Sequence, residues 1–254
     1  MLPTIRGKQD YMQGTELEHT SAWLALNGGY MYTLVDSKRG DEFLKSRFGN
    51  TSDIFRTYDN LHDVGMRSDF LGYLLLEAEG GIYTETDTIA LKSIDSWIPS
   101  HLRDNTRLVI GIEYDQRDGM PWEDVPHPLQ FAQWTIASEP GHPVLNMMVA
   151  RVVTSVKDLA RRHGVREIEL RPTSFEVMNS TGPAAWTEVV FEYLQSLNPD
   201  LTDTMSFSYL ERPTLCGDVL ILPIDGFGMG QRHSGSTDDG SIPEAALVRH
   251  LFAD

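Results

Sequence analysis

The chain has 254 residues, 41% hydrophobic and 23% charged, the profile of an ordinary globular protein with a sizeable core. Its 37 acidic against 21 basic residues give a formal net charge of −16. That field repels nucleic acid and anionic membrane, and it also repels phosphorylated small molecules unless a metal ion or local cations intervene. The single cysteine, Cys216, excludes an internal disulfide and a cysteine-based zinc site. No stretch approaches the roughly 20 apolar residues of a membrane span, and no signal-peptide core is legible at the N-terminus, so a soluble chain is expected. Asn50-Thr51-Ser52 and Asn179-Ser180-Thr181 match the glycosylation sequon, a three-residue pattern that chance often supplies.

In chain order, residues 1–20 show no legible strand, and 30–35 alternate as a β-strand does. A short helix is expected over 41–48. Residues 67–79 are helical in pattern and apolar on most sides (Phe70, Leu71, Tyr73, Leu74, Leu75, Leu76), which predicts a buried helix rather than an amphipathic surface one. Gly80-Gly81 should stop it with a left-handed cap. Strands are expected at 82–84, 107–113 and 218–224, and helices at 129–137, 143–163 and 184–197. With no repeat or linker in view, this reads as one α/β domain over 1–254, a mixed, mostly parallel sheet flanked by helices.

In such sheets ligands bind beyond the carboxyl ends of the strands, where Glu85 and Asp87 fall. In an extended segment, residues two apart point the same way, so the two carboxylates would converge on one ion with Thr86 turned away. Hard oxygen ligands suit Mg²⁺ or Mn²⁺, which keep positions open for a diphosphate and would resolve its conflict with the net charge. A solvated acidic turn is the plain alternative for any bare pair of this kind.

The residues around the pair carry more information. "RSDFLGYLLLEAEGGIYTETDTIALKSIDSWIP" (67–99), "GIEYD" (111–115), "HPLQFAQWTIASEPGHPVL" (127–145), "TGPAAWTEVVFEYL" (181–194) and "LPIDGFGMGQRHSGS" (222–236) follow one another in the order of a known family. They resemble the fungal initiation-specific α-1,6-mannosyltransferases and their relatives in glycosyltransferase family 32. The resemblance implies a GT-A fold, a Rossmann-like nucleotide-sugar-binding sheet. It also implies a metal-dependent retaining transferase that passes mannose from GDP-mannose to a glycan acceptor of the protein N-glycan outer-chain type, in the Golgi lumen.

By the same resemblance, Asp87 takes the place of the metal-binding aspartate of the D-x-D motif. Glu85 takes that of its first aspartate, which reaches ribose or a metal-bound water. Asp69 matches the helix-opening aspartate near the donor's sugar or ribose, and Tyr83 the tyrosine of the Gly-Gly-x-Tyr motif. His233 is expected to complete the metal shell or touch the diphosphate, with Arg232 beside it on phosphate. Gly226, Gly228, Gly230 and Gly235 would let the backbone approach that phosphate. Glu113 is read as an acceptor-side carboxylate or a structural group, and Gln130 and Trp134 as neighbours on one helical face.

The sequence departs from the family in places. Gly72 stands where an arginine is usual, Glu85 where an aspartate is, no family-type first strand is legible before residue 20, and the chain ends at "HLFAD". These departures keep open a second reading, a catalytically impaired relative that binds glycan or nucleotide. Under the first reading, Gly72→Arg with Glu85→Asp should raise turnover. A metal-dependent phosphohydrolase is the third reading, short of the fuller ligand cluster it would need.

Overall fold

The computed structural model describes residues 4–8, 14–122, 125–231 and 234–251, with backbone alone for 4–8 and 14–18. In chain order the elements are β1 (Thr4–Lys8), α1 (Gly14–Leu26), β2 (Met31–Val35), α2 (Ser37–Phe48), α3 (Asp53–Asn60) and α4 (Val64–Glu79). Next come β3 (Gly81–Thr84), β4 (Thr88–Ala90), β5 (Leu108–Asp115), β6 (Leu129–Phe131) and β7 (Thr135–Ser138). The last part holds α5 (Pro143–His163), α6 (Ser174–Ser180), α7 (Pro183–Leu197), β8 (Thr214–Cys216), β9 (Val219–Leu222), α8 (Ile224–Gly228) and β10 (Val248–His250).

Local chemistry fixes most helix ends. Asp36, Ser52 and Asp63 cap α2, α3 and α4 by accepting the backbone N–H three residues on, at 2.8, 3.1 and 2.9 Å. Thr173 and Glu176 form a reciprocal capping box on α6. α5 opens with Pro143 in its first turn and closes on Gly164, whose φ of 67° and ψ of 28° are left-handed.

The main sheet runs β2-β1-β3-β7-β5-β9-β8, with β6 added on β5, and β10 and β4 form a separate antiparallel pair. β1 is parallel to both β2 and β3, β9 is parallel to β5, and β7 runs antiparallel to β3 and to β5. β2, β1, β3, β5 and β9 therefore share one direction, and their carboxyl ends share one edge of the sheet.

Alternation along the strands feeds two cores. Tyr83, Leu108, Ile110, Val219 and Ile221 face the layer of α4, α5 and α7, with Phe70, Leu74, Met148, Val152 and Trp186. Ile82, Val109, Leu220 and Leu222 face the other way, onto Trp23, Trp97, Phe227 and Val248. α4 is buried continuously from Ser68 to Leu76, as its all-round apolar pattern requires.

Five expectations need correction. Residues 129–137 are not a helix but the strands β6 and β7, because pairing with β5 and β3 outweighs a short apolar run that fits either period. Gln130 therefore lies on a strand. The first strand is present: β1 sits inside the sheet, and hydrogen bonds to neighbours on both sides supply what the local pattern of "TIRGK" does not advertise. Gly80 does end α4 with a positive φ of 62°, but its ψ of −157° lies outside the left-handed helical region. Thr86 and Asp87 form a turn between β3 and β4, so residues 85–87 are not an extended segment. α2 and α4 also begin earlier than expected, at Ser37 and Val64, where their caps sit.

Candidate metal and donor site

The turn that carries Glu85 and Asp87 is held from several sides. The Glu85 N–H donates to the Trp134 carbonyl at 2.9 Å, extending the β3–β7 pairing by one step. Thr88 Oγ1 donates to the Glu85 carbonyl at 2.6 Å and lies 2.7 Å from Thr84 Oγ1, which lies 3.0 Å from Thr135 Oγ1. Trp23 Nε1 donates to the Thr88 carbonyl from the opposite layer. Three buried threonines and one indole thus fix the backbone from which both carboxylates project.

The third side chain at this point comes from the far end of the chain. β10 pairs antiparallel with β4, placing His250 opposite Thr88, and the Leu251 N–H donates to the Asp87 carbonyl at 2.8 Å. His250 Nε2 lies 3.6 Å from Glu85 Oε2 and 3.5 Å from Asp87 Oδ1, and its ring packs on Trp134 with centroids 4.6 Å apart. One ligand atom from each of Glu85, Asp87 and His250 falls within 4.8 Å of the others, close enough to share a cation. His250 is only 6% exposed, whereas the carboxylates open toward solvent. The sequence reading missed it because nothing in "VRHLF" ties this histidine to a motif so far upstream.

Asp69 sits buried in the second turn of α4. Its Oδ1 accepts from Gln133 Nε2 at 3.2 Å and its Oδ2 from Thr181 Oγ1 at 2.8 Å, linking α4 to the segment between β6 and β7 and to the end of α6. Tyr83 is buried on the same layer, and burial, with the Glu85 charge adding to it, holds its phenol well above the ordinary range. A Cβ built on Gly72 would stand 2.9 Å from the Tyr83 ring, so that ring occupies the space into which a side chain at position 72 would grow. Gly72→Arg therefore cannot be a simple restoration: the tyrosine must first move.

Glu113 is inside β5, and burial, opposed by the hydrogen bond from Gln130 Nε2 at 3.0 Å, raises its pKa to about 8. The Glu85 charge contributes in the same direction. At neutral pH Glu113 is a neutral acid. Arg232 and His233 lie outside the described residues. Gly226 and Gly228, expected to admit phosphate, are buried in α8; a Cβ on them would meet Leu222 at 2.8 Å and the Ile112 carbonyl at 3.0 Å, so close packing requires them.

Residues 15–104 match the family model described as a glycosyltransferase sugar-binding region containing a DXD motif. This stretch, which includes the acidic turn, is similar to that sugar-binding region. It is 36% identical over 242 residues to an initiation-specific alpha-1,6-mannosyltransferase of Schizosaccharomyces pombe, a match covering 93% of this chain and 59% of that one. A protein of the same name from Candida albicans is 29% identical over 255 residues, covering 93% of this chain and 66% of that one. The chain thus spans about three fifths to two thirds of the length of these relatives. Among solved structures, the PaToxG glycosyltransferase superposes with a TM-score of 0.52 at 17% identity, over 78% of this chain and 71% of that one. The mixed sheet flanked by helices is the GT-A fold.

Proposed function

We propose that this glycosyltransferase is a metal-dependent retaining enzyme that transfers mannose from GDP-mannose to a glycan acceptor of the N-glycan outer-chain type. The observation that carries the reading is the convergence of Glu85, Asp87 and His250 at the carboxyl edge of the sheet. The printed names of the yeast relatives support the choice of sugar. Two carboxylates with one imidazole suit Mn²⁺ better than Mg²⁺, which favours all-oxygen shells. When bound, the ion would supply positive charge against the donor's diphosphate, offsetting the chain's net charge of −16.

In this reading Asp87 and His250 hold the ion directly, and Glu85 holds it or orients its water and the ribose. Asp69, fixed by Gln133 and Thr181, and the neutral Tyr83 wall the donor's sugar side. Arg232 and His233 remain candidates for the phosphates. The bond from the mannose C1 to the diphosphate oxygen breaks, a bond from the acceptor oxygen forms on the same face, and the acceptor's proton leaves with GDP. Glu113, already protonated at neutral pH, is not the base for this step. Residence in the Golgi lumen belongs to the same proposal and is tested by whether the tagged full-length protein co-fractionates with Golgi membranes.

The test is calorimetric titration of GDP-mannose with Mn²⁺ and again with EDTA, using Asp87→Ala as control. Heat that requires both Mn²⁺ and Asp87 supports the reading. No binding of GDP-mannose, with Asp87→Ala behaving like the parent, sinks it, and the same titration with UDP-sugars then decides whether the donor site is dead. One observation favours the second reading, a catalytically impaired relative: the space beside Gly72 is filled by the uncharged Tyr83 ring where the family places an arginine. Metal-dependent donor binding without transfer or donor hydrolysis would select that reading.

A further inference from the structure

Among the described residues only two non-glycine residues have positive φ, Arg117 at 50° and Tyr209 at 58°. Such a conformation is strained for a residue with a side chain and persists only where the surroundings enforce it. Both are bound to one side chain, the buried Asp115 at the end of β5. Its Oδ1 accepts from Ser208 Oγ at 2.7 Å and the Arg117 N–H at 3.3 Å; its Oδ2 accepts from the Tyr209 N–H at 2.9 Å and Arg117 Nε at 3.3 Å. Four donors use the acceptor capacity of one carboxylate. The result is an aromatic ring held out into water: Tyr209 is 52% exposed, its hydroxyl is bonded to Asp118, and the Arg117 guanidinium lies 5.3 Å from its ring centroid.

The sheet register locates this ring relative to the acidic turn. Ser138 of β7 pairs with both Gly81 and Leu108, and Ala137 with both Ile82 and Val109, so in step Thr84, where β3 ends, is level with Gly111. Asp115 ends β5 four residues beyond Gly111, on the same edge of the sheet and two strand spacings, or about 10 Å, across from β3. It lies on the β5 side of the acidic turn, away from β1 and β2. A fixed aromatic face flanked by a carboxylate and a guanidinium offers an apolar surface for the C–H face of a sugar, and an acceptor and a donor for its hydroxyls.

We propose that Tyr209, with Arg117 and Asp118, is the platform on which a sugar of the acceptor glycan rests, and that Asp115 is the positioning residue that holds it. This rests on the glycosyltransferase reading above, and the experiment separates the two. Tyr209→Ala and Tyr209→Phe are compared with the parent in three measurements. These are GDP-mannose binding with Mn²⁺, mannose transfer to a high-mannose oligosaccharide released from glycoprotein, and calorimetric titration of that oligosaccharide alone. Tyr209→Ala should raise the acceptor KM about tenfold or more, with kcat and donor affinity little changed, and Tyr209→Phe should stay within a few-fold of the parent. An unchanged acceptor KM in Tyr209→Ala overturns the platform and leaves the donor reading intact. If the parent binds no GDP-mannose, the donor reading fails and the oligosaccharide titration decides: binding by the parent lost in Tyr209→Ala upholds the platform, and equal or absent binding overturns it.

Discussion

At His250 an imidazole is clamped between the Trp134 ring and two carboxylates, on a strand whose backbone also bonds to Asp87. Its backbone pairing does not depend on the ring, so His250→Ala should leave the fold in place and weaken Mn²⁺ binding by about tenfold or more, measured by calorimetry against a matched thermal melt. Unchanged affinity would remove His250 from the ligand set. Glu113 gives a pH signature of a different kind. Below pH 4.5 the folded and unfolded states both carry its proton; between 4.5 and about 8 only the folded state does. The folded state then binds more protons, so the stability Glu113 contributes falls as pH rises through that window and is gone above it. Glu113→Gln should therefore flatten the dependence of Tm on pH across that range and raise Tm at its alkaline end. An unaltered slope would mean that Glu113 is ionised in the folded protein.

The helix α4 and the strand β3 meet where Gly72 lies under the Tyr83 ring. Gly72→Ala adds helix propensity worth about 1 kcal/mol but forces a methyl group against a buried ring, and overpacking of that kind costs about 1–3 kcal/mol. A net loss of stability is expected in the parent. In a Tyr83→Leu background the same change should become neutral or favourable, and the double-mutant cycle from urea unfolding measures the coupling. Additive effects would show that the ring and the glycine do not share the space. At this scale much of the chain was legible: α5 runs from Pro143 to His163 as its pattern states, and the apolar girth of α4 implied its burial. Residues 129–137 were not legible, because "LQFAQWTIA" is apolar at positions that suit a helix and a strand alike. The decision between the two came from the open edges of β5 and β3, which belong to other parts of the chain.

For the molecule as a whole, the main sheet and the β4–β10 pair are separate hydrogen-bonded systems joined at the acidic turn. A chain ending after Leu247 would keep every strand of the main sheet and lose β10 with His250. It should retain a cooperative thermal transition at lower Tm, since Val248 leaves the second core, and should lose Mn²⁺ binding. Retained Mn²⁺ affinity would place the site elsewhere.

By itself the sequence determined the α/β class, the buried helix leading through a double glycine into a short strand, and the acidic pair beyond it. Each of these is written in contiguous residues whose periodicity and turn chemistry act locally. Only the tertiary structure decided that β1 lies between β2 and β3, that Glu85 and Asp87 converge through a turn, that His250 joins them, and that Asp115 holds Tyr209 out into solvent. Those outcomes depend on strand pairing and on hydrogen bonds between residues far apart in the chain, and no local pattern encodes which distant partner a strand edge or a buried carboxylate will find.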